Sequence, residues 1–140
     1  MKLVVVAAGK LRGPERTLAD EYLGRVRRYV TCDERETKDS VDLTRALPKE
    51  AAVVALEPGG DALSSAELAR RLEKWASQRK GVVAFVVGGA SGLPADVVSR
   101  ADARLSLSSL TLPHRLARVV LAEQLYRAMT ILRGEPYARE

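Results

Sequence analysis

The sequence predicts an α/β fold with a mostly parallel, five- to six-stranded sheet flanked by helices. Several strand-sized apolar runs are continuous rather than alternating, which is typical of strands buried on both faces. Segments with a helical spacing of apolar residues separate these runs. Small and flexible residues follow three of the strands, as expected where a strand turns back into a helix.

The predicted elements alternate regularly along the chain. Strands are predicted at 2–8, 51–57, 82–87 and 103–108, and the second of them ends in a turn at Pro58-Gly59-Gly60. Helices are predicted at 14–29, 40–47, 66–80, 94–101 and 113–132, the third capped by Ser64 or Ser65. Residues 30–39 are predicted as an edge strand that runs into a charged loop, and residues 133–140 as a C-terminal tail.

Length and composition favour a single domain spanning 1–140. Hydrophobic residues make up 46% of the 140, enough for a core. The one cysteine, Cys32, excludes an intrachain disulfide and is expected to be a buried thiol, which fits a cytoplasmic location. No apolar run has the length of a membrane span. One histidine and one cysteine, far apart and without clustered carboxylates, predict no metal site.

The charge balance is basic, with a net charge of +5 and more arginine than lysine. Arginine suits phosphate recognition, so a polyanion partner is one interpretation, and an arginine-rich genome is the other. The aromatic content of 4% argues against a base-stacking platform. We expect phosphate contacts from a basic group in the first loop and helix, although a solvated helix face remains the alternative. The group comprises Lys10, Arg12, Arg25, Arg27 and Arg28.

A ligand pocket is predicted at the carboxyl ends of the strands. In open parallel sheets ligands bind at this edge, and the loops 57–61, 88–94 and 108–113 would all lie there. The glycine loop at 88–93 does not have the spacing of a dinucleotide fingerprint, so a tight turn is favoured over a phosphate cradle. His114, directly after Pro113, is either a surface residue at the helix start or a polar group that faces the substrate.

The last helix is apolar over a wider arc than one core-facing stripe needs. Either all its sides are buried in one domain or part of it pairs with a second subunit, and we expect a homodimer. The residues of this arc are Leu116, Ala117, Val119, Val120, Leu121, Leu125, Met129 and Leu132.

Several motifs carry a family resemblance that covers most of the chain. The blocks VVGGASGL, RLSLSSLTLPHRLARVVLAEQLYRA and EPYARE are the most specific, and KLVVVAAGK, EYLGRVRRY and VALEPGG agree with them. In these motifs the chain resembles the ribosomal RNA large subunit methyltransferase H family, a bacterial branch of the SPOUT methyltransferases. The resemblance is weakest from about residue 30 to 50.

The resemblance implies an α/β domain with a deep C-terminal trefoil knot that binds S-adenosylmethionine in the knot loops. The implied activity is methylation of N3 of a pseudouridine in 23S rRNA, on assembled ribosomes and by a homodimer. The motif positions that would bind the cofactor are Leu56, Gly88, Leu107, Ser108, Ser109, Leu110, Thr111 and Leu112.

The resemblance also implies a catalytic role for the tail, through Tyr137 and Arg139. The sequence departs from the family at Ala138, where a histidine is usual, so His114, Arg139 or water would have to replace that histidine. Without the resemblance, a frayed terminus would be preferred. Two other functions stay open: a ribosome-binding protein of the same fold without activity, and an enzyme that binds another nucleotide in the strand-end pocket.

Overall fold

The computed structural model describes residues 1–139; Glu140, the last residue of the predicted domain, lies outside the described residues. Within residues 1–139, five strands and five helices alternate, with a 3₁₀ helix at Ser40–Asp42 and another at Pro136–Arg139. The strands are β1 (Lys2–Ala8), β2 (Thr31–Thr37), β3 (Ala52–Ala62), β4 (Val82–Val87) and β5 (Ala103–Ser106). The helices are α1 (Gly13–Val26), α2 (Leu43–Ala46), α3 (Ser65–Gln78), α4 (Ala95–Arg100) and α5 (His114–Leu132).

The sheet has five strands in the order β2-β1-β4-β3-β5, and every neighbouring pair is parallel. The predicted α/β class is therefore confirmed, and β2 is the edge strand that the sequence indicates. Because all the strands run the same way, their carboxyl ends share one edge of the sheet, called here the upper edge. Each helix that follows a strand begins at the upper edge and returns to the lower edge.

The two faces of the sheet carry separate apolar layers, because successive side chains of a strand point to opposite faces. On β1, Leu3 and Val5 pack into a layer that also contains residues of α1, α3 and α5. Val4 and Val6 pack on the other face with Leu43 of α2 and Val97 of α4. This burial on both faces explains why the strands read as continuous apolar runs.

The turn predicted at Pro58-Gly59-Gly60 is wrong, because β3 continues to Ala62. Leu56 and Asp61 both lie opposite Leu105 of β5, so the residues between them bulge out of the ladder. Gly60 fits against the β5 backbone, where a Cβ atom would come within 2.7 Å of the carbonyl carbon of Arg104. The glycine therefore permits a close approach of two strands rather than a chain reversal.

Most of the predicted helix boundaries are close to the observed ones. Ser64 caps α3, and its hydroxyl and the Glu67 carboxylate form a reciprocal capping box. Helix α1 ends at Val26, three residues before the predicted end at Tyr29. Helix α5 begins at His114, one residue after the predicted start at Pro113, so this proline marks the junction between the last loop of the sheet and the longest described helix.

Candidate functional site

A cavity of about 700 Å³ lies at the upper edge of the sheet. The three predicted loops meet around it, together with the first turn of α5. We call it the strand-end pocket. Its lining includes all eight positions expected to hold a cofactor, which are Leu56, Gly88, Leu107, Ser108, Ser109, Leu110, Thr111 and Leu112, and also His114.

The loop from Leu107 to Pro113 forms one wall of the pocket, and two serines hold its shape. The Ser106 hydroxyl donates to the carbonyl of Ser108 at 3.0 Å, and the Ser108 hydroxyl accepts from the backbone N–H of Leu110 at 2.9 Å. These bonds leave the Leu110 side chain 76% exposed beside the cavity. An exposed leucine on a pocket wall is an apolar surface available to a ligand.

The glycine loop forms the opposite wall and closes on its own backbone. Gly89 and Gly92 form an isolated antiparallel bridge, and the N–H of Gly92 donates to the carbonyl of Gly89 at 3.0 Å. A Cβ atom on Gly88 would lie 2.5 Å from the carbonyl group of Gly92. The tight-turn interpretation of this segment therefore explains its glycines without a ligand, and a valine at Gly88 would disturb the loop itself.

An ion pair that the sequence did not reveal lies on the β3 side of the pocket. Arg104 of β5 donates to the carboxylate of Glu57, and both residues line the cavity. Glu57 sits in the bulge of β3, whose shape depends on the register against β5. Local sequence holds no signal for this pairing, since the two residues are far apart in the chain.

A buried ion network holds the first two turns of α5 against the edge of the sheet. Arg118 is only 3% exposed and donates to Glu34 at 2.7 Å, to Glu36 at 2.6 Å and to the carbonyl of Gly9 at 3.1 Å. Arg16 of α1 donates to the same two carboxylates. Burial alone would raise the pKa of Glu36, but hydrogen bonds from the Leu11 N–H and from Arg118 lower it below the ordinary 4.5.

The structure places the tail away from the pocket of its own chain. The Tyr137 hydroxyl donates to Glu123 of α5 at 2.7 Å, and its ring lies 4.5 Å from that of Tyr126. Burial and the Glu123 bond raise the pKa of Tyr137. Glu123 lies nine residues beyond His114, or about 13 Å along the helix axis at ~1.5 Å per residue. Tyr137 and Arg139 therefore do not meet His114 within one protomer, and Tyr137 is anchored rather than frayed.

The five predicted phosphate-binding cations do not form one patch. Arg12 precedes α1 at the upper edge, whereas Arg25 lies thirteen residues further along, about 20 Å away at the lower edge. Two of the lower cations already have partners within the chain: Arg25 pairs with Glu21 at 2.6 Å, and Arg27 donates to the carbonyl of Cys32 at 2.8 Å.

Cys32 is a buried free thiol, and burial raises its pKa to about 11, so it does not supply a thiolate at neutral pH. Within residues 1–139 no group of three or more His, Cys, Asp or Glu side chains is arranged to hold a metal ion. None of the helices in this part of the chain is long and apolar enough to cross a membrane.

Comparison with known proteins gives a consistent family. A family model described as "Predicted SPOUT methyltransferase" matches residues 1–138. A protein from Sorangium cellulosum named Ribosomal RNA large subunit methyltransferase H is 58% identical, over 99% of both chains. Proteins of the same name from Rubrobacter xylanophilus and Paracoccus denitrificans are 45% and 42% identical, over 97% and 100% of both chains.

Solved structures share the fold at low sequence identity. A probable methylase family protein from Haemophilus influenzae superposes with a TM-score of 0.62 at 11% identity, covering 96% of this chain and 69% of the other. A putative methyltransferase from Legionella pneumophila, solved in complex with bound SAM, has a TM-score of 0.56 at 12% identity, covering 91% and 66%. The chain therefore belongs to the SPOUT methyltransferases, in the branch whose members are named Ribosomal RNA large subunit methyltransferase H.

Proposed function

We propose that the protein is an S-adenosylmethionine-dependent methyltransferase that modifies N3 of a pseudouridine in 23S rRNA on assembled ribosomes. The observation that carries the proposal is the strand-end pocket, in which the loop from Leu107 to Leu112, the glycine loop and the end of β3 converge. Family membership supports the reaction class, because the full-length relatives are named as methyltransferases of large-subunit ribosomal RNA.

The pocket fits S-adenosylmethionine in size and chemistry. Its volume of about 700 Å³ lies within the ~300–1,000 Å³ typical of small-ligand sites. Leu107, Leu110 and Leu112 offer flat apolar contacts for the adenine, and backbone groups of the same loop can pair with its ring nitrogens. Glu57 also lines the pocket, but its carboxylate is paired with Arg104, so the two together add no net charge. The cofactor supplies a methyl group on a sulfonium.

The protein's own contribution is to position the base and to manage one proton. In the transfer a bond forms between N3 and the methyl carbon, the bond from that carbon to sulfur breaks, and the N3 proton leaves. Alignment of the base nitrogen with the donor accounts for most of the catalysis. His114, the one imidazole of the chain, lines the pocket, and we assign it to accept the proton directly or through water. Arg139 is assigned to stabilise the resulting anion.

The assignment of Tyr137 and Arg139 requires a second subunit. Because the tail packs about 13 Å along α5 from His114, it reaches a pocket only if that pocket belongs to a partner protomer. Leu116, 45% exposed at the start of α5, and Leu18, 43% exposed on α1, are apolar surface that a dimer would cover. A concentration-independent monomer mass by light scattering would contradict this dimer.

Four further features remain predictions that accompany the proposal. The family resemblance predicts that the segment around the strand-end pocket is knotted. The two apolar layers on one sheet support a single domain. A ribosomal substrate predicts a cytoplasmic location. Of the cations expected to bind phosphate, Lys10 and Arg12 lie at the same edge as the pocket, whereas Arg25, Arg27 and Arg28 would meet only RNA that reaches the lower edge.

Methyl transfer to purified ribosomes tests the proposal directly. Ribosomes from a strain that lacks its own enzyme should accept one labelled methyl group, and digestion of the 23S rRNA should locate it on N3 of a pseudouridine. Binding to ribosomes without methyl transfer would favour the alternative of an inactive ribosome-binding protein. That alternative is suggested by Ala138, which stands where the family usually has a histidine. Calorimetric binding of NAD but not S-adenosylmethionine would favour an enzyme that uses another nucleotide.

A further inference from the structure

A second cavity, of about 420 Å³, lies at the upper edge between the ends of β1 and β2. We call it the basic cleft. Its lining residues are Gly9, Lys10, Glu36, Thr37 and Lys38. The N–H of Gly9 donates to the carbonyl of Thr37 at 2.8 Å, so the two loops are held together at its base. The sequence predicted RNA contact for Lys10 but not for Lys38.

The basic cleft is adjacent to the glycine wall of the strand-end pocket. The Ser40 hydroxyl, two residues after Lys38, donates to the carbonyl of Gly92 at 3.2 Å. A Cβ atom on Gly89 would lie 3.6 Å from that of Ala8, just before the cleft. The glycine loop therefore lies between the strand-end pocket and the basic cleft.

The charge of the cleft is positive despite Glu36. The Glu36 carboxylate accepts hydrogen bonds from Arg16 and Arg118, and these guanidiniums also neutralise Glu34. Two arginines thus pair with both glutamates, and Arg16 also pairs with the more exposed Asp20 on α1. Within residues 1–139, neither Lys10 nor Lys38 has a carboxylate at ion-pair distance, in contrast to Lys2 and Lys80. Both are exposed, so the cleft presents two ammonium groups that the chain itself does not neutralise.

We propose that the basic cleft binds the phosphate backbone of the RNA strand whose base enters the strand-end pocket, with Lys10 and Lys38 as the contacting cations. The proposal rests on the proposed function and names the surface that the substrate follows. Two lysines without other anchoring groups contact phosphate as mobile point charges, which positions a strand but does not read its sequence.

The test replaces both lysines and measures ribosome binding over a range of salt concentrations. Affinity for the ribosome falls as salt rises, and Lys10→Gln with Lys38→Gln should make this dependence shallower. The slope of log affinity against log salt should decrease in magnitude by about 1.4, since each phosphate contact on a single strand contributes about 0.7. The Kd for S-adenosylmethionine should stay within about twofold of wild type, because neither lysine lines the strand-end pocket. Unchanged thermal melting confirms that the variant is folded.

The matched control removes the same charge elsewhere. Lys49 precedes β3 at the lower edge and Lys74 lies in the last turns of α3, and both are exposed. Lys49→Gln with Lys74→Gln should leave the salt slope at its wild-type value. Equal slopes for the two double variants would overturn the assignment of the cleft while wild-type methyl transfer still supports the proposed function. Absence of methyl transfer by the wild-type protein would overturn both.

Discussion

The first two turns of α5 and its middle, around Glu123 and Tyr126, have different roles. At its start, the helix is tied to the sheet by the buried Arg118 network and borders the strand-end pocket. Further along, Glu123 and Tyr126 hold the tail through one hydrogen bond and an aromatic contact. The first turns form part of the pocket wall. The middle of the helix holds the tail residues that are expected to take part in the reaction. Under the proposed function, a single protomer therefore carries both parts of the site but keeps them apart.

The largest expected effect concerns the tail. Arg139→Ala should lower turnover by roughly a hundredfold or more, the usual scale for loss of one oriented electrostatic group, and leave the Kd for S-adenosylmethionine nearly unchanged. Arg45→Ala, at an exposed arginine of α2, is the control and should retain full turnover. If a chain lacking residues 136–140 methylates ribosomes at the wild-type rate, the tail has no catalytic part and the strand-end pocket acts without it.

The next effect compares the ion pairs of two α5 arginines: Arg118, which binds the helix to the sheet, and Arg127, which lies beside the tail. Arg118→Met leaves two partly buried carboxylates with Arg16 alone, so the free energy of unfolding should fall by about 3 kcal/mol. Arg127→Met removes a more exposed i,i+4 pair with Glu123 and a stack on Tyr137, worth about 1 kcal/mol. Urea denaturation measures both. Equal losses of unfolding free energy in the two variants would show that the pairs of Arg118 stabilise the fold no more than the pair of Arg127.

The ion network around Arg118 also makes the stability of the fold depend on pH. Glu36 has a folded-state pKa below its unfolded value, so its contribution to stability is present above about pH 4.5 and is lost as the pH falls through the folded pKa. Because Arg118 is one cause of the lowered pKa, Arg118→Met should lose less stability than wild type on acidification below pH 4.5. Denaturation midpoints compared at pH 6 and pH 3.5 measure this difference.

A smaller effect is expected at the pocket wall. Leu110→Ala should weaken S-adenosylmethionine binding about tenfold, because removing three carbon atoms from an apolar contact loses about 1–2 kcal/mol. Thermal stability should barely change, since the side chain is already 76% exposed. Val41→Ala is the control, as Val41 is 78% exposed outside the pocket lining. Wild-type affinity in the Leu110 variant would remove this loop from the cofactor site.

The smallest effect is expected from restoring the family's histidine. Ala138→His should leave turnover similar or raise it, because the new imidazole adds to a tail in which Arg139 carries the proposed catalytic role. Single-turnover methylation of ribosomes measures the change. A clear fall in turnover would show that the tail of this protein positions its groups differently from those of its relatives.

The sequence predicted those parts of the molecule that depend on local pattern. Buried strands, the Ser64 cap and the proline before α5 have signals within a few residues, and the strand-end rule then located the pocket. Features set by long-range register were missed. The bulge of β3 depends on β5, and the pairing of Arg118 with Glu34 joins residues 84 positions apart. The separation of Arg12 from Arg25 follows from helix length and could have been calculated.

The self-closed glycine loop limits how this scaffold can be diversified. A side chain at Gly88 meets the backbone of Gly92, and Gly92 itself has a φ of 80°. A side chain at either position therefore strains the glycine loop itself, whatever ligand the pocket holds. A library aimed at synthetic analogues of the methyl donor should therefore randomise Ser109, Leu110 and Thr111 and keep the glycines constant.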